Sequence, residues 1–142
     1  MKKLIYTLVL IGAFQSIQAQ SFEGKGDKKL NAGYEIYGYG SGLTATFDYG
    51  LSNLFSIGAG ATAFLESDEN DYYIFTRANV HLGIALDLPS EFDIYPGFEL
   101  GYLSSEKMGY GVFVGFRYFV SKKVGLYAEL GTCGSAGVSF LI

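Results

Sequence analysis

A chain of 142 residues with 49% hydrophobic, 17% aromatic and 17% charged residues is long enough for one domain and too apolar for a disordered segment. Twenty glycines without a Gly-x-y repeat exclude collagen and argue against long soluble helices, and a single cysteine excludes an internal disulfide framework. The net charge of −4 gives no basis for a nucleic-acid partner.

The chain opens with Lys2-Lys3, an apolar stretch from Leu4 to Phe14, and a small-residue exit at Gln18-Ala19. This layout predicts a secretory signal peptide over residues 1–19 and a mature domain over residues 20–142. The apolar stretch is well short of the roughly 20 residues a spanning helix needs. Removing Lys2 and Lys3 takes the net charge from −4 to −6.

After a short polar lead from Gln20 to Asp27, the chain alternates at period two, the mark of strands with two unlike faces. Eight runs are predicted: Lys28 to Gly38, Leu43 to Leu51, Leu54 to Glu66, Asp71 to Leu86, Phe92 to Leu103, Gly109 to Val120, Val124 to Thr132, and Ser135 to Ile142. Turn-forming or polar residues separate them, such as Gly40-Ser41-Gly42, Ser52-Asn53, Ser67 to Asn70 and Ser121 to Lys123.

One face carries no charge; Leu30, Phe47, Ile57, Ile74, Phe98, Val114, Leu126 and Val138 are examples. The other carries Glu35, Asp48, Arg77, His81, Glu99, Arg117 and Glu129, together with most of the glycines. A soluble barrel or sandwich would turn the uncharged face inward; a membrane barrel would turn it to lipid. The glycines decide. The concave interior of a narrow barrel needs small residues between large ones, so the charged, glycine-rich face is predicted inside. Inward Tyr37, Phe64, Phe75, Tyr95, Phe113, Phe119 and Tyr127 would fill the interior further. Outward aromatics fall at the strand ends: Tyr34, Tyr49, Phe55, Phe92, Tyr118 and Phe140 toward one side, and Tyr72, Tyr102 and Tyr110 toward the other, as two interfacial girdles.

The signal peptide, the run Tyr49-Gly-Leu-Ser-Asn-Leu-Phe-Ser-Ile-Gly-Ala-Gly60, the run Phe116-Arg-Tyr-Phe-Val-Ser-Lys-Lys-Val-Gly125 and the ending Val138-Ser-Phe-Leu-Ile142 resemble the small eight-stranded outer-membrane β-barrels of Gram-negative bacteria, the outer membrane protein A and X types. The resemblance implies an all-β, closed, antiparallel, up-and-down transmembrane barrel in the outer membrane. It also implies contact with lipopolysaccharide and other lipids, and delivery by the barrel-assembly machinery. Periplasmic termini follow, with the loops at Gly40, Ser67 to Asn70, Ser104 to Met108 and Cys133-Gly134 facing outward. A terminal aromatic is common in such barrels; here Phe140 stands two residues from the end.

The inward charges allow two readings, a plugged lumen or a narrow path for ions and small solutes. Eight strands leave an interior that side chains just fill, which favours the plug. His81, the only histidine, lacks further imidazole or thiolate ligands for a metal, so no metal or cofactor is expected and a hydrogen-bonded lumen histidine is. A lipid-modifying enzyme would need its His, Ser and acid at the opposite end of the barrel. Glu66 to Asp71 lacks the calcium-loop glycine and distal Glu, and reads as a solvated acidic loop. Gly109-Tyr-Gly111 has neither a pore helix nor a strand-to-helix turn to make it a filter or a nucleotide loop. Cys133 is expected in a tight outward loop. The sequence therefore points to a monomeric, non-enzymatic barrel with a structural or interaction role. A soluble lipocalin-like barrel holding an apolar ligand is the alternative fold.

Overall fold

The computed structural model describes residues 20–142; the expected signal peptide, residues 1–19, lies outside them. Eight strands follow one another: β1 (Lys28–Tyr37), β2 (Ser41–Gly50), β3 (Phe55–Glu66), β4 (Tyr72–Val80), β5 (Phe92–Leu103), β6 (Met108–Phe119), β7 (Val124–Gly131) and β8 (Gly134–Leu141). Each pairs antiparallel with the next, and β8 pairs with β1, so the sheet closes into a barrel with no free edge. Two ends are thereby defined. The terminal end holds both ends of the described residues and the β2–β3, β4–β5 and β6–β7 connections; the loop end holds the other four.

The stagger can be followed residue by residue. Partners run from Leu30 through Phe47, Ala59, Thr76, Leu100 and Tyr110; four residues along β6 to Val114, then Leu130, two along β7 to Ala128, then Ala136, lead back to β1 at Tyr34, a net offset of ten residues. With about 3.3 Å per residue and about 4.8 Å between strands, eight strands at this stagger tilt by about 40°. Ten residues at that tilt rise about 25 Å, the height of an apolar band that matches a bilayer.

The period-two reading holds along most of the eight runs, slips at the end of the first and fails outright in the fourth. The fourth run was expected to reach Leu86, but β4 ends at Val80. Leu86 N–H bonds Leu82 O at 2.9 Å and Leu88 N–H bonds Gly83 O at 2.9 Å, a helical turn closed by Asp87 at φ 53°. Leu82, Ile84 and Leu86 alternate like a strand yet sit in this turn, and Gly83 lies there rather than on an inner face. Periodicity alone cannot separate the two over so short a stretch.

The charged face is inside. Arg77 is 4% exposed and Arg117 1%, whereas Phe47 and Val114 are 41% and 40% exposed on the outside. Inward rings lie across glycines of the neighbouring strand: Phe75 pairs with Gly60, and a Cβ on Gly60 would stand 2.6 Å from Phe75 Cζ. Tyr95 lies in the same way over Gly115. The glycines make room for the rings that fill the barrel.

Two aromatic placements differ from expectation. Tyr34 pairs with Leu43 and Ala136, so it lies toward the loop end rather than with Tyr49, Phe55, Phe92, Tyr118 and Phe140. Tyr37 does not fill the lumen. The β1–β8 register slips between Glu35 and Tyr37, which leaves Tyr37 44% exposed at the rim, where its hydroxyl accepts from Gly131 N–H at 3.3 Å.

Candidate functional site

Alternation places Lys29, Asn31, Glu35, Asp48, Ser56, Arg77, Asn79, Asp93, Glu99, Arg117 and Glu129 on inner faces of the seven strands β1 to β7, all of them buried. Closure brings them together as a column of polar groups. Six of the seven sequence-predicted lumen residues lie on strands, and His81 follows β4 directly.

At the middle, Arg77 is the hub. Its Nη2 donates to Glu129 Oε1 at 2.5 Å and its Nη1 to Glu129 Oε2 at 3.3 Å, a two-pronged pair. Its Nε lies 3.3 Å from Asp48 Oδ1 in an ion pair whose direction misses hydrogen-bond alignment. The guanidinium carbon lies 4.5 Å from the centre of the Phe113 ring. Tyr95 hydroxyl donates to Glu129 Oε1 at 3.0 Å. Below it, Arg117 spans to Asp48 Oδ2 at 3.6 Å, donates to Asn31 Oδ1 at 3.3 Å and stacks 4.5 Å over Tyr95. Asp48 thus serves both arginines and also accepts from Asn31 at 3.0 Å and Asn79 at 3.3 Å. Two buried guanidinium ions and two buried carboxylates compensate one another there.

Toward the terminal end, a hydrogen-bonded row runs from Ser56 Oγ to His81 Nε2 at 2.7 Å and from His81 Nδ1 to Asp93 Oδ2 at 2.5 Å. The Ser–His–Asp order is that of an activated hydroxyl. Here all three residues are buried, and the Ser56 hydroxyl also accepts from Asn79 Nδ2 at 3.1 Å. The polar lead covers this row. Phe22 stacks on the His81 ring at 3.6 Å and 7°, Ser21 N–H bonds Ser90 O at 2.8 Å, and Asp27 pairs with Lys29.

Toward the loop end, Glu35 accepts from Thr62 at 2.9 Å through Oε2, while among the described residues Oε1 has no hydrogen-bond partner and Glu99 no ion-pair partner. They line, with Glu129, Arg77 and Cys133, a cavity of about 20 Å³, room for about one water. Tyr73, Phe75 and Leu103 form a buried apolar cluster near this end, with Tyr39 and Phe64 packed on it. Cys133 is half-buried against Gly38, whose φ of 134° suits glycine and where a Cβ would come 2.5 Å from Cys133 Sγ. Burial, reinforced by the Glu35 and Glu99 carboxylates, pushes this thiol up to about 12. Burial also raises the Tyr39 hydroxyl, whose proton is donated to Tyr110 O at 2.8 Å.

The acidic loop is exposed, with Glu69 bridged to Lys107 at 3.3 Å. Among the described residues no group of three or more His, Cys, Asp and Glu is placed to hold a metal. Sequence reasoning missed Asn31, Ser56, Asn79, Ser139 and Phe22 as members of the interior network. The first four share the inner face two positions from a charged, histidine or amide residue, or across a strand pair; Phe22 carries no periodic signal at all.

A family model described as a family of unknown function (DUF6646) matches residues 12–136. The chain belongs to this family. No curated protein matches it. Two solved structures are similar at 12% identity. One, described as the de novo design of transmembrane β-barrels, has a TM-score of 0.66 over 84% of this chain and 98% of that one. The other, the N-terminal β-barrel domain of Pseudomonas aeruginosa OprF, has a TM-score of 0.62 over 84% of this chain and 100% of that one. At this identity the likeness shows the fold, an eight-stranded barrel of the transmembrane kind.

Proposed function

We propose that this member of the family is an outer-membrane β-barrel of a Gram-negative envelope, exported by residues 1–19. In this reading it is a monomer with a structural or interaction role rather than an enzyme. One observation carries the reading: the barrel is inside out. Its exterior between the two ends is a continuous apolar band, and the ion pairs of Arg77 and Arg117 are buried within. A soluble barrel with Leu43, Ile57, Ile74, Val112 and Leu130 facing water would expose far more contiguous apolar surface than a monomer tolerates. Tyr49, Phe55, Phe92, Tyr118 and Phe140 at one end, and Tyr34, Tyr72, Tyr102 and Tyr110 at the other, are suited to the two headgroup regions, the second beside lipopolysaccharide. Such a barrel would reach the membrane through the barrel-assembly machinery.

The lumen in this reading is closed by its own side chains. The buried Arg77–Glu129–Asp48–Arg117 network, the rings of Tyr73 and Tyr95, and Phe22 at the terminal mouth support a plug over an ion leak. The test is fractionation with electrophoresis of unboiled and boiled protein. The expected result is a detergent-dependent protein whose compact, fast band shifts on heating, and flat current traces in planar bilayers. Dispersal in buffer without detergent would overturn the membrane reading; steady conductance would overturn the plug.

A further inference from the structure

The β4–β5 connection carries four leucine or isoleucine residues where a water-exposed turn would carry none. Ile84 and Leu86 are 61% and 55% exposed, and the helical turn after β4 swings Leu88 and Pro89 outward across the barrel wall. Between them and the outer faces of β5, β6 and β7 lies a groove of about 590 Å³. Its floor is the Phe92–Tyr118 ring pair, centroids 4.6 Å apart, with Leu126 and Ala128 beyond. The charged residues of these strand segments, Asp93 and Arg117, point into the lumen and are each 1% exposed, so the groove receives only apolar side chains and the edge of Tyr118.

The wall formed by Tyr118 and Leu126, which pair across β6 and β7, is the stem of a hairpin whose tip holds Lys122 and Lys123. Both lysines are exposed, and neither has an ion-pair partner among the described residues. An apolar slot walled by the stem of a hairpin whose tip carries two unpaired cations matches an anionic amphiphile: a chain along the slot and a phosphate on the tip.

We propose that this groove is a specific site for one anionic phospholipid of the periplasmic leaflet, with an acyl chain between Leu88 and the Phe92–Tyr118 pair and the phosphate on Lys122 and Lys123. The site rests on the membrane reading above.

The test is native mass spectrometry of the barrel released from mild detergent containing equal phosphatidylglycerol and phosphatidylcholine. One retained phosphatidylglycerol, several-fold favoured over phosphatidylcholine, is expected. Lys122→Gln with Lys123→Gln should abolish the preference, and Leu88→Glu should lower retention of both lipids. Lys25→Gln with Lys28→Gln, elsewhere on the same rim, should leave the preference intact. Equal retention of the two lipids, an equal loss in the Lys25/Lys28 variant, or occupation by a peptide from residues 1–19 would overturn the site. Should the double lysine variant fail to fold, Lys122→Gln alone reads the same preference. Loss of the heat-shifted band in the unaltered protein would instead sink the membrane reading, so the two failures are separable.

Discussion

Phe22 lies flat on His81, ring centroids 3.6 Å apart and planes within 7° of each other. This single contact ties the first described residues to the far side of the terminal mouth, where His81 is already held by Ser56 and Asp93. Phe22→Ala should cost on the order of 3 kcal/mol, as for a buried ring removed from a core. The readouts are a lower temperature for the band shift and faster hydrogen exchange at the Ser21 amide, which bonds Ser90. An unchanged Ser21 amide would show that the lead is held by its backbone alone.

Arg77 holds Glu129 and Asp48 at once, so removing it leaves the buried Glu129 without a cation and Asp48 with Arg117 alone. Arg77→Met should destabilise the barrel by about 3–5 kcal/mol in urea unfolding from lipid or detergent. Glu129→Gln added to Arg77→Met should restore part of that loss. A double-mutant cycle with no coupling would contradict the hub assignment.

The inward rings depend on their glycines. Gly60→Val would drive new carbons into Phe75 and Thr46, each already 2.6 Å from an added Cβ, and should cost about 1–3 kcal/mol. Phe75→Leu in the same chain should relieve part of the cost. Additive losses would mean that the two positions do not share space.

Phe47 faces outward in the apolar band. Phe47→Arg should cost up to about 2–4 kcal/mol when unfolding is measured in bilayers, because a charge facing hydrocarbon is unsolvated. The same change on a water-facing wall would be neutral or would raise solubility, so the sign of the effect reports what surrounds the barrel.

The Cys133 thiol, pushed up to about 12 by burial, is almost wholly protonated at pH 8. Since the thiolate is the reactive form, a raised value slows alkylation. Reaction with iodoacetamide at pH 8 should be roughly a hundredfold slower than for a cysteine placed at Glu69. The rate should climb about tenfold per pH unit up to pH 10, where the exposed control levels off. Parity of the two rates at pH 8 would show that the β7–β8 loop opens readily.

Much of this architecture is written in period-two alternation. Lys29, Asn31 and Glu35, or Arg77 and Asn79, share a face because strands turn over every residue, and the ring-sized gaps at Gly60 and Gly115 mark that face as concave. What alternation does not encode is register. Nothing in the order of residues says that Asp48 meets both Arg77 and Arg117, because that depends on a ten-residue stagger accumulated over eight pairings. The fourth run failed for a local reason, since Leu82, Ile84 and Leu86 alternate in a turn that packs against the outside of the barrel. Phe22 was illegible because its partner, His81, is 59 residues away and no repeat links them.

The Ser21–Ser90 bond and the Phe22–His81 stack fasten the first described residues to the β4–β5 connection, far along the chain. An affinity tag joined ahead of Gln20 would therefore crowd this fastening, whereas the exposed tip at Ser67-Asp68 offers a handle at the other end of the barrel.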